Sequence, residues 1–440
     1  MRTGNRVLFS LLLIAAAAAA GTGKAFPERR TLEECLELGL RSSKALHAAQ
    51  LRVRALEAGY GEARTARLPS LALGARYSRL SPLAAGTITL PAPVGPISLY
   101  PAIEDTFALT ASLQQPLWSG LRIRSAIEQA RAAREEGAMA LLQQRADLVY
   151  QIQAAFWELA KAGEALKVIR ENIARVNAHL EEIQDFYSQG LATYNEVLRG
   201  RMQLADSALR ELEAGNDQAL LQAHLAVLIG LPAESVIAPE YSLEDDGPPA
   251  DPGDASAAVQ RRPEVGAARQ RLAAAQAAVA AARSGWYPSV FLTGGYQYAL
   301  PNPRQFPPQA EFTPTWDLGI AASVDVGRWP AVASRSAQAL AQEGQAREAL
   351  GQLQDSVQLE LIQARLALKK NEERIRVARQ LVEQAEENRK IAGERYKNGL
   401  ALASELLDAE TARLEGGLEL SRARIDLRIA RAALARALGQ

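Results

Sequence analysis

The feature that most limits how these 440 residues can fold is an internal repeat. Ala63-Arg64 and Pro69-Ser70 recur as Ala282-Arg283 and Pro288-Ser289, a shift of 219, and Tyr77 recurs as Tyr296. Further along, Tyr187, Gly190, Leu191 and Ala192 recur as Tyr396, Gly399, Leu400 and Ala401, a shift of 209. The ten-residue difference implies a shorter apical loop in the second half. Whatever the chain builds, it builds twice, over about 26–256 and 257–440, with an irregular join at 231–256 rich in Pro, Asp and Gly.

The repeated unit is mostly helix. Ile152, Leu159, Leu166, Ile173, Leu180 and Tyr187 fall every seven residues, with Ala155, Ala162, Ile169, Val176 and Ile183 three positions later. This is the a/d seam of a coiled coil. The shift of 209 carries the first series to Leu361, Leu368, Ile375, Val382, Arg389 and Tyr396, with Arg389 the one misfit. A second seam runs Leu198, Ala205, Leu212, Ala219 and Ala226, and its counterpart begins Leu407, Leu414. Helices are expected over about 32–67, 119–189 and 195–229, then 257–285, 331–397 and 403–438. The second would extend roughly 105 Å at 1.5 Å per residue. Aromatic residues are only 5% of the chain, which favours long, closely spaced helices over a bulky globular core.

Four segments alternate with period two instead: about 70–80, 106–117, 289–299 and 315–326. Leu71, Leu73, Ala75 and Tyr77 oppose Ala72, Gly74, Arg76 and Ser78, and Phe107, Leu109, Ala111, Leu113 and Leu117 oppose Thr106, Thr110, Ser112 and Gln114, with Gln115 breaking the apolar face. In the second half Val290, Leu292, Tyr296 and Tyr298 oppose Ser289, Thr293 and Gln297, while Trp316, Leu318, Ile320, Val324 and Val326 oppose Thr315, Asp317, Ser323 and Asp325. Each is about ten residues, the length a tilted strand needs to cross a bilayer. Trp118, Trp286 and Trp329 fall at the helix-side ends of these segments and Trp316 at the other end, as interfacial girdles require. Pro-rich loops at 81–105 and 301–314, without helical or strand period, are expected as apical turns. Four strands cannot close a barrel and an open edge is not tolerated in lipid, so several chains must contribute to one barrel.

The N-terminus reads as an export signal over 1–25. Arg2 and Arg6 precede the apolar run Val7 to Ala20, and small-x-small cleavage sites follow Ala20 and Ala25. The 50 basic residues balance 50 acidic ones, which removes the electrostatic case for nucleic-acid binding. A single cysteine, Cys35, and three scattered histidines leave no material for a disulfide framework, and no metal site or cofactor is expected. With no HExxH, P-loop or cysteine–histidine set, enzyme chemistry is not expected either. A soluble periplasmic coiled-coil scaffold would account for the heptads, but not for the signal, the strands, the tryptophan placement or the Pro-rich loops.

An ordered set of motifs then resembles the TolC-type outer-membrane factors, also called outer membrane efflux proteins. Thr31-Leu-Glu-Glu, Arg67-Leu-Pro-Ser-Leu, Gln115-Pro-Leu-Trp-Ser-Gly and Ile229-Gly-Leu-Pro carry it in the first half. Arg262-Pro-Glu-Val, Trp286-Tyr-Pro-Ser-Val and the run from Arg395 to Glu410 carry it in the second. The resemblance implies a mainly α fold with a small β part. Each protomer would contribute four transmembrane β-strands, and a homotrimer would close a 12-stranded β-barrel continuous with a long α-helical barrel and girdled by an equatorial segment. The implied place is the outer membrane of a Gram-negative bacterium, in contact with outer-membrane lipid, with a long periplasmic extension. The implied partners are a periplasmic adaptor (membrane fusion) protein and an inner-membrane transporter of an efflux or type I secretion system. By the same resemblance the gate lies at two tip turns, Gly190 and Gly399. There Tyr396 would bond Glu196, Glu405 and Asp408 would form constricting acidic rings, and Ala401 stands where an arginine is usual.

Overall fold

The computed structural model of the protein describes residues 28–81, 86–91, 93, 95–100, 103–243 and 255–439; the export signal expected over 1–25 lies outside them. The first half runs β1 (Glu28–Arg30), α1 (Leu32–Ser42), α2 (Lys44–Thr65), β2 (Ser70–Arg79), β3 (Gly86–Leu90), β4 (Gly95–Tyr100), β5 (Asp105–Trp118), α3 (Arg122–Ser188), α4 (Tyr194–Leu228) and β6 (Ile237–Pro239). The second runs α5 (Ala255–Arg261), α6 (Pro263–Arg283), β7 (Ser289–Leu300), β8 (Thr313–Ser323), α7 (Trp329–Lys397) and α8 (Ala403–Leu438). These elements divide into two compact units, each drawing on both halves. One comprises the residues up to His47, Gln143–Arg262 and Ser356–Gln440; the other comprises Ala48–Leu142 and Pro263–Asp355.

The two helices expected as single runs at 32–67 and 257–285 are each broken, for local reasons. At Ser43 the backbone is extended and the hydroxyl accepts the Leu46 N–H at 3.2 Å, so Ser43 closes α1 and caps α2. After Arg261 the chain meets Pro263, which restricts the residue before it and fits the first position of a new helix. Arg262, left between the helices, is buried. Its guanidinium donates to the Arg436 carbonyl and to Glu360, both at 2.8 Å. This ties the break to the end of α8 and accounts for the Arg262-Pro pair.

In the first unit the α3 seam packs as its heptads require: Ile152, Leu159, Leu166, Leu180, Ala155, Ile169, Val176 and Ile183 are buried. Leu361, Ile375 and Tyr396 do the same on α7. The second seam divides. Leu407 and Leu414 of α8 are buried, but their counterparts on α4, Leu198 and Ala205, are exposed, as is Leu212 one heptad further on, at 63%. Within one chain α4 therefore turns that stripe outward as far as Ala219, packing through Val197, Gly200 and Ser207, and buries only its last position, Ala226. Cys35 is fully buried, and burial first of all pushes its thiol up to about 11, which leaves it an unreactive filler. A three-residue parallel pairing of β1 with β6 also lies here, Glu28 against Ile237 and Arg30 against Pro239. It is too short for any period to announce.

The second unit contains the antiparallel sheet, in the order β2-β5-β7-β8. Its register sets Leu73, Ala111, Tyr296 and Trp316 side by side, and likewise Leu71, Leu113, Gly294 and Leu318. The alternate positions stack Gly74, Thr110, Gln297 and Thr315. The sheet thus has one apolar face and one face of small and polar residues, as the alternation requires. β8 stops at Ser323, short of Val324 and Val326. Its last partner is Ser289, and Pro288 before it has no N–H to continue the ladder; Val326–Arg328 instead form a single 3-10 turn. The loop at 81–105, expected to lack strands, contains the β3–β4 hairpin. With five and six residues, these strands are too short for alternation to be legible.

Candidate functional site

Two regions carry the residues singled out in the sequence. In the sheet unit, Trp286 and Trp329 pack with ring centroids 5.7 Å apart and Trp118 meets Tyr287 edge-on at 5.8 Å. Trp118, Trp286 and Trp329 are all about 40% exposed, and Trp316 on β8 is 72% exposed on the apolar face. Leu71, Leu73, Leu109, Leu318 and Ile320 of that face are more than half exposed. A face of this extent left open to water is unlike the surface of a soluble monomer.

The other region, in the unit containing His47, is the pair of helical turns. Gly190 and Gly399 both adopt left-handed φ values, 75° and 69°. At each, the glycine N–H and the following N–H close back on the helix: Gly190 to Tyr187 and Leu191 to Phe186, Gly399 to Tyr396 and Leu400 to Arg395. This is the Schellman C-cap, which needs a residue without a Cβ penalty at that position. The next helices begin differently. On α4, Thr193 and Glu196 form a capping box: the Glu196 carboxylate accepts the Thr193 N–H at 2.7 Å and its hydroxyl at 3.1 Å. The repeat shift of 209 takes Glu196 to Glu405 and Thr193 to Leu402. Leu402 offers no side-chain cap, so Glu405 is released from that role and lies 3.4 Å from Arg395.

Within a single chain Tyr396 and Glu196 are not bonded to each other. Tyr396 is buried against Phe186 at 5.6 Å, in a cluster with Leu180, Ile183, Val197 and Leu406, and among the described residues its hydroxyl has no hydrogen-bond partner. Glu196 is occupied by its own cap. Burial, followed by the charges of Glu196 and Glu182, raises the Tyr396 phenol to about 12. Tyr396→Phe should therefore leave stability within about 0.5 kcal/mol of the parent, since only an unpaired hydroxyl is lost. Glu196→Ala should cost about 1 kcal/mol through the cap. Thermal unfolding of the two variants reads the difference; a larger loss for Tyr396→Phe would restore the Tyr396–Glu196 bond. Arg395 reaches both Glu405 and the Leu400 carbonyl.

On α8, Glu405, Asp408, Ala412 and Glu415 are exposed while Leu406, Leu407, Ala409, Glu410 and Leu414 are buried. Spacings of three and four place the exposed set on one face, so the structure brings Glu405 and Asp408 together. Behind them lies a cluster that sequence reasoning missed. Glu410 is 1% exposed and meets Arg175 at 3.2 Å, His179 at 3.3 Å and Arg389 at 3.7 Å. Arg389 and Arg413 also hold Glu386. The bond to Glu410, helped by one to Glu182, raises the His179 pKa against the effect of burial. Burial would raise Glu410, but its bond from His179 and the charges of Arg175 and Arg389 lower it. The visible trace of this cluster was Arg389, the charge out of place in the seam.

The model of the outer membrane efflux protein family matches residues 36–231 and 255–440. The chain belongs to that family. It is 28% identical over 270 residues to the pyoverdine export outer membrane protein OpmQ of Pseudomonas aeruginosa, with 60% of this chain and 55% of that protein covered. It is 30% identical over 275 residues to protein CyaE of Bordetella pertussis, with 60% and 54% covered. The chain spans about half the length of these curated relatives. Solved outer-membrane channels share its fold. OprN superposes with a TM-score of 0.80 at 23% identity, covering 93% of this chain and 89% of that one. VceC of Vibrio cholerae gives 0.78 at 20%, covering 93% and 96%. In this family setting the apolar sheet and the glycine-capped turns fall within the matched residues, and no helix among the described residues is long and apolar enough to cross a membrane.

Proposed function

We propose that the chain is one protomer of a homotrimeric outer-membrane exit duct serving a tripartite efflux or type I secretion system. The observation that carries this reading is the sheet. Its apolar face is exposed, and β2 and β8 are each left with one unpaired edge. In lipid every unpaired backbone group costs several kcal/mol, so such a sheet is stable only when its edges are joined to those of other copies. Three copies give twelve strands, apolar side to lipid and the Gly74–Thr110–Gln297–Thr315 side to the lumen. The helices support the same arrangement. Met202, Leu212 and Leu220 lie exposed on α4, and Leu359, Ile362 and Leu366 on α7. Two different open faces on one chain suit a head-to-tail contact that closes as a ring.

The turns at Gly190 and Gly399 are the docking end for a periplasmic adaptor and an inner-membrane transporter, and the face with Glu405 and Asp408 lines the constriction. The duct is passive; its cargo is set by the transporter. Light scattering on the detergent-purified protein should give three times the protomer mass. Leu109→Arg, on the apolar face, should cost about 2–4 kcal/mol in the bilayer and deplete the assembled trimer, whereas Ser112→Arg on the other face should assemble normally. A stable detergent-free monomer would overturn the reading.

A further inference from the structure

Where the sheet gives way to helices, Arg67, Pro116, Leu117, Trp118, Leu121 and Arg124 line a groove of about 310 Å³. Its two guanidiniums differ from the arginines at the other end of the sheet. There Arg79 is paired with Glu104 at 3.0 Å and Arg304 with Asp317 at 3.1 Å. Among the described residues, neither Arg67 nor Arg124 forms an ion pair, and both are exposed. Between them the groove is apolar and open: Leu117 is 54% and Leu121 47% exposed.

Leu121 holds a left-handed φ of 75° directly after Gly120 at 58°, a conformation a leucine rarely adopts. Gly120 is confined there, because a Cβ would stand 2.7 Å from the Ser284 carbonyl. The turn thus keeps an aliphatic side chain exposed beside two unneutralised cations, at backbone cost. The Trp118–Tyr287 and Trp286–Trp329 pairs lie at this same end of the sheet, where aromatic side chains mark headgroup depth.

We propose that this groove is a binding site for an anionic glycerophospholipid of the leaflet on the helix side of the sheet. The phosphate sits between Arg67 and Arg124 as a charge-assisted acceptor, and the acyl chains run along Leu117 onto the apolar face. The assignment rests on the reading that the sheet spans a membrane. Charge complementarity selects the occupant: an apolar partner would leave two guanidiniums desolvated and unpaired, and a neutral headgroup would leave their charge uncompensated.

The test uses the full chain reconstituted into phosphatidylcholine vesicles that contain either phosphatidylglycerol or lipid A, with lipid retained after detergent extraction counted by native mass spectrometry. Each basic residue near an anionic surface contributes about fivefold in affinity. The parent should therefore retain phosphatidylglycerol about 25-fold over phosphatidylcholine, and the Arg67→Gln/Arg124→Gln double variant should lose that preference. Arg76→Gln, on the polar face, should keep it. Equal retention of both phospholipids by the parent, preference for lipid A, or an unchanged preference in the double variant would each overturn the site. So would loss of the trimer in the double variant with no lipid preference in the parent, which would assign the groove to a second copy. Failure of the parent to float with any vesicle would instead overturn the membrane reading.

Discussion

Replacing Glu405 and Asp408 together by alanine should abolish cation preference in planar bilayers and weaken block by small multivalent cations by two orders of magnitude or more. Both carboxylates lie on the exposed face of α8, and a trimer would bring six to one constriction. Like charges that close concentrate counter-ions in a narrow opening. The two are not equivalent. Glu405 is partly neutralised by Arg395 at 3.4 Å, while Asp408 has no such partner beside it among the described residues. Asp408→Ala alone should therefore reduce block more than Glu405→Ala alone. Reversal potentials in a salt gradient and titration of block with a trivalent cation read both effects. A double variant with unchanged selectivity would place this face of α8 away from the pore.

The second large effect is expected at Glu410. Its carboxylate is almost fully buried and is the shared partner of Arg175, His179 and Arg389. Glu410→Leu leaves two guanidiniums and the His179 imidazole facing an apolar side chain. Breaking a buried pair from one side costs about 3 kcal/mol or more, against roughly 0.5 kcal/mol for Glu405→Leu at the exposed position. Hydrogen exchange of the segment around Gly399, compared between the two variants in detergent, separates them; similar protection would show that the cluster does not hold the turns. The same cluster gives a pH dependence of known sign. The His179 pKa is raised above the ordinary histidine value of 6.5, so its contribution is fully present below that value and is lost as pH rises through the folded pKa. Glu410 is lowered below 4.5, so its share is present above 4.5 and lost as pH falls through its folded pKa. Protection around the turns should weaken as pH rises above about 6.5 through the folded His179 pKa in the parent, and His179→Gln should flatten that limb. An equal alkaline loss in His179→Gln would assign it to another group.

Much of this protein was legible before any coordinates, because its largest features are periodic. Helix α8 was expected over 403–438 and spans Ala403–Leu438; the strands near 70, 106 and 289 agree to within about a residue. The faces of the sheet follow from which residues alternate, since side chains in a strand must point to opposite sides. The glycine turns were visible as the repeated Tyr-x-x-Gly-Leu-Ala. The capping box is also written in the sequence as Thr193-x-x-Glu196, a carboxylate three residues after a threonine. Short pairings such as β1 with β6 were not legible, because three residues contain no period.

By itself, the sequence determined the long helices and the four strands of the larger sheet, which side of those strands is apolar, and that one chain leaves a sheet with open edges. These are properties of local order, fixed by neighbours within a few positions. Only the tertiary structure decided that the α4 seam is open while its α8 counterpart is covered, and that Glu410 meets Arg175 across 235 positions of sequence. The two repeats present nearly the same pattern to different surroundings, and a buried charge has its partner chosen by proximity in space, which spacing along the chain does not encode.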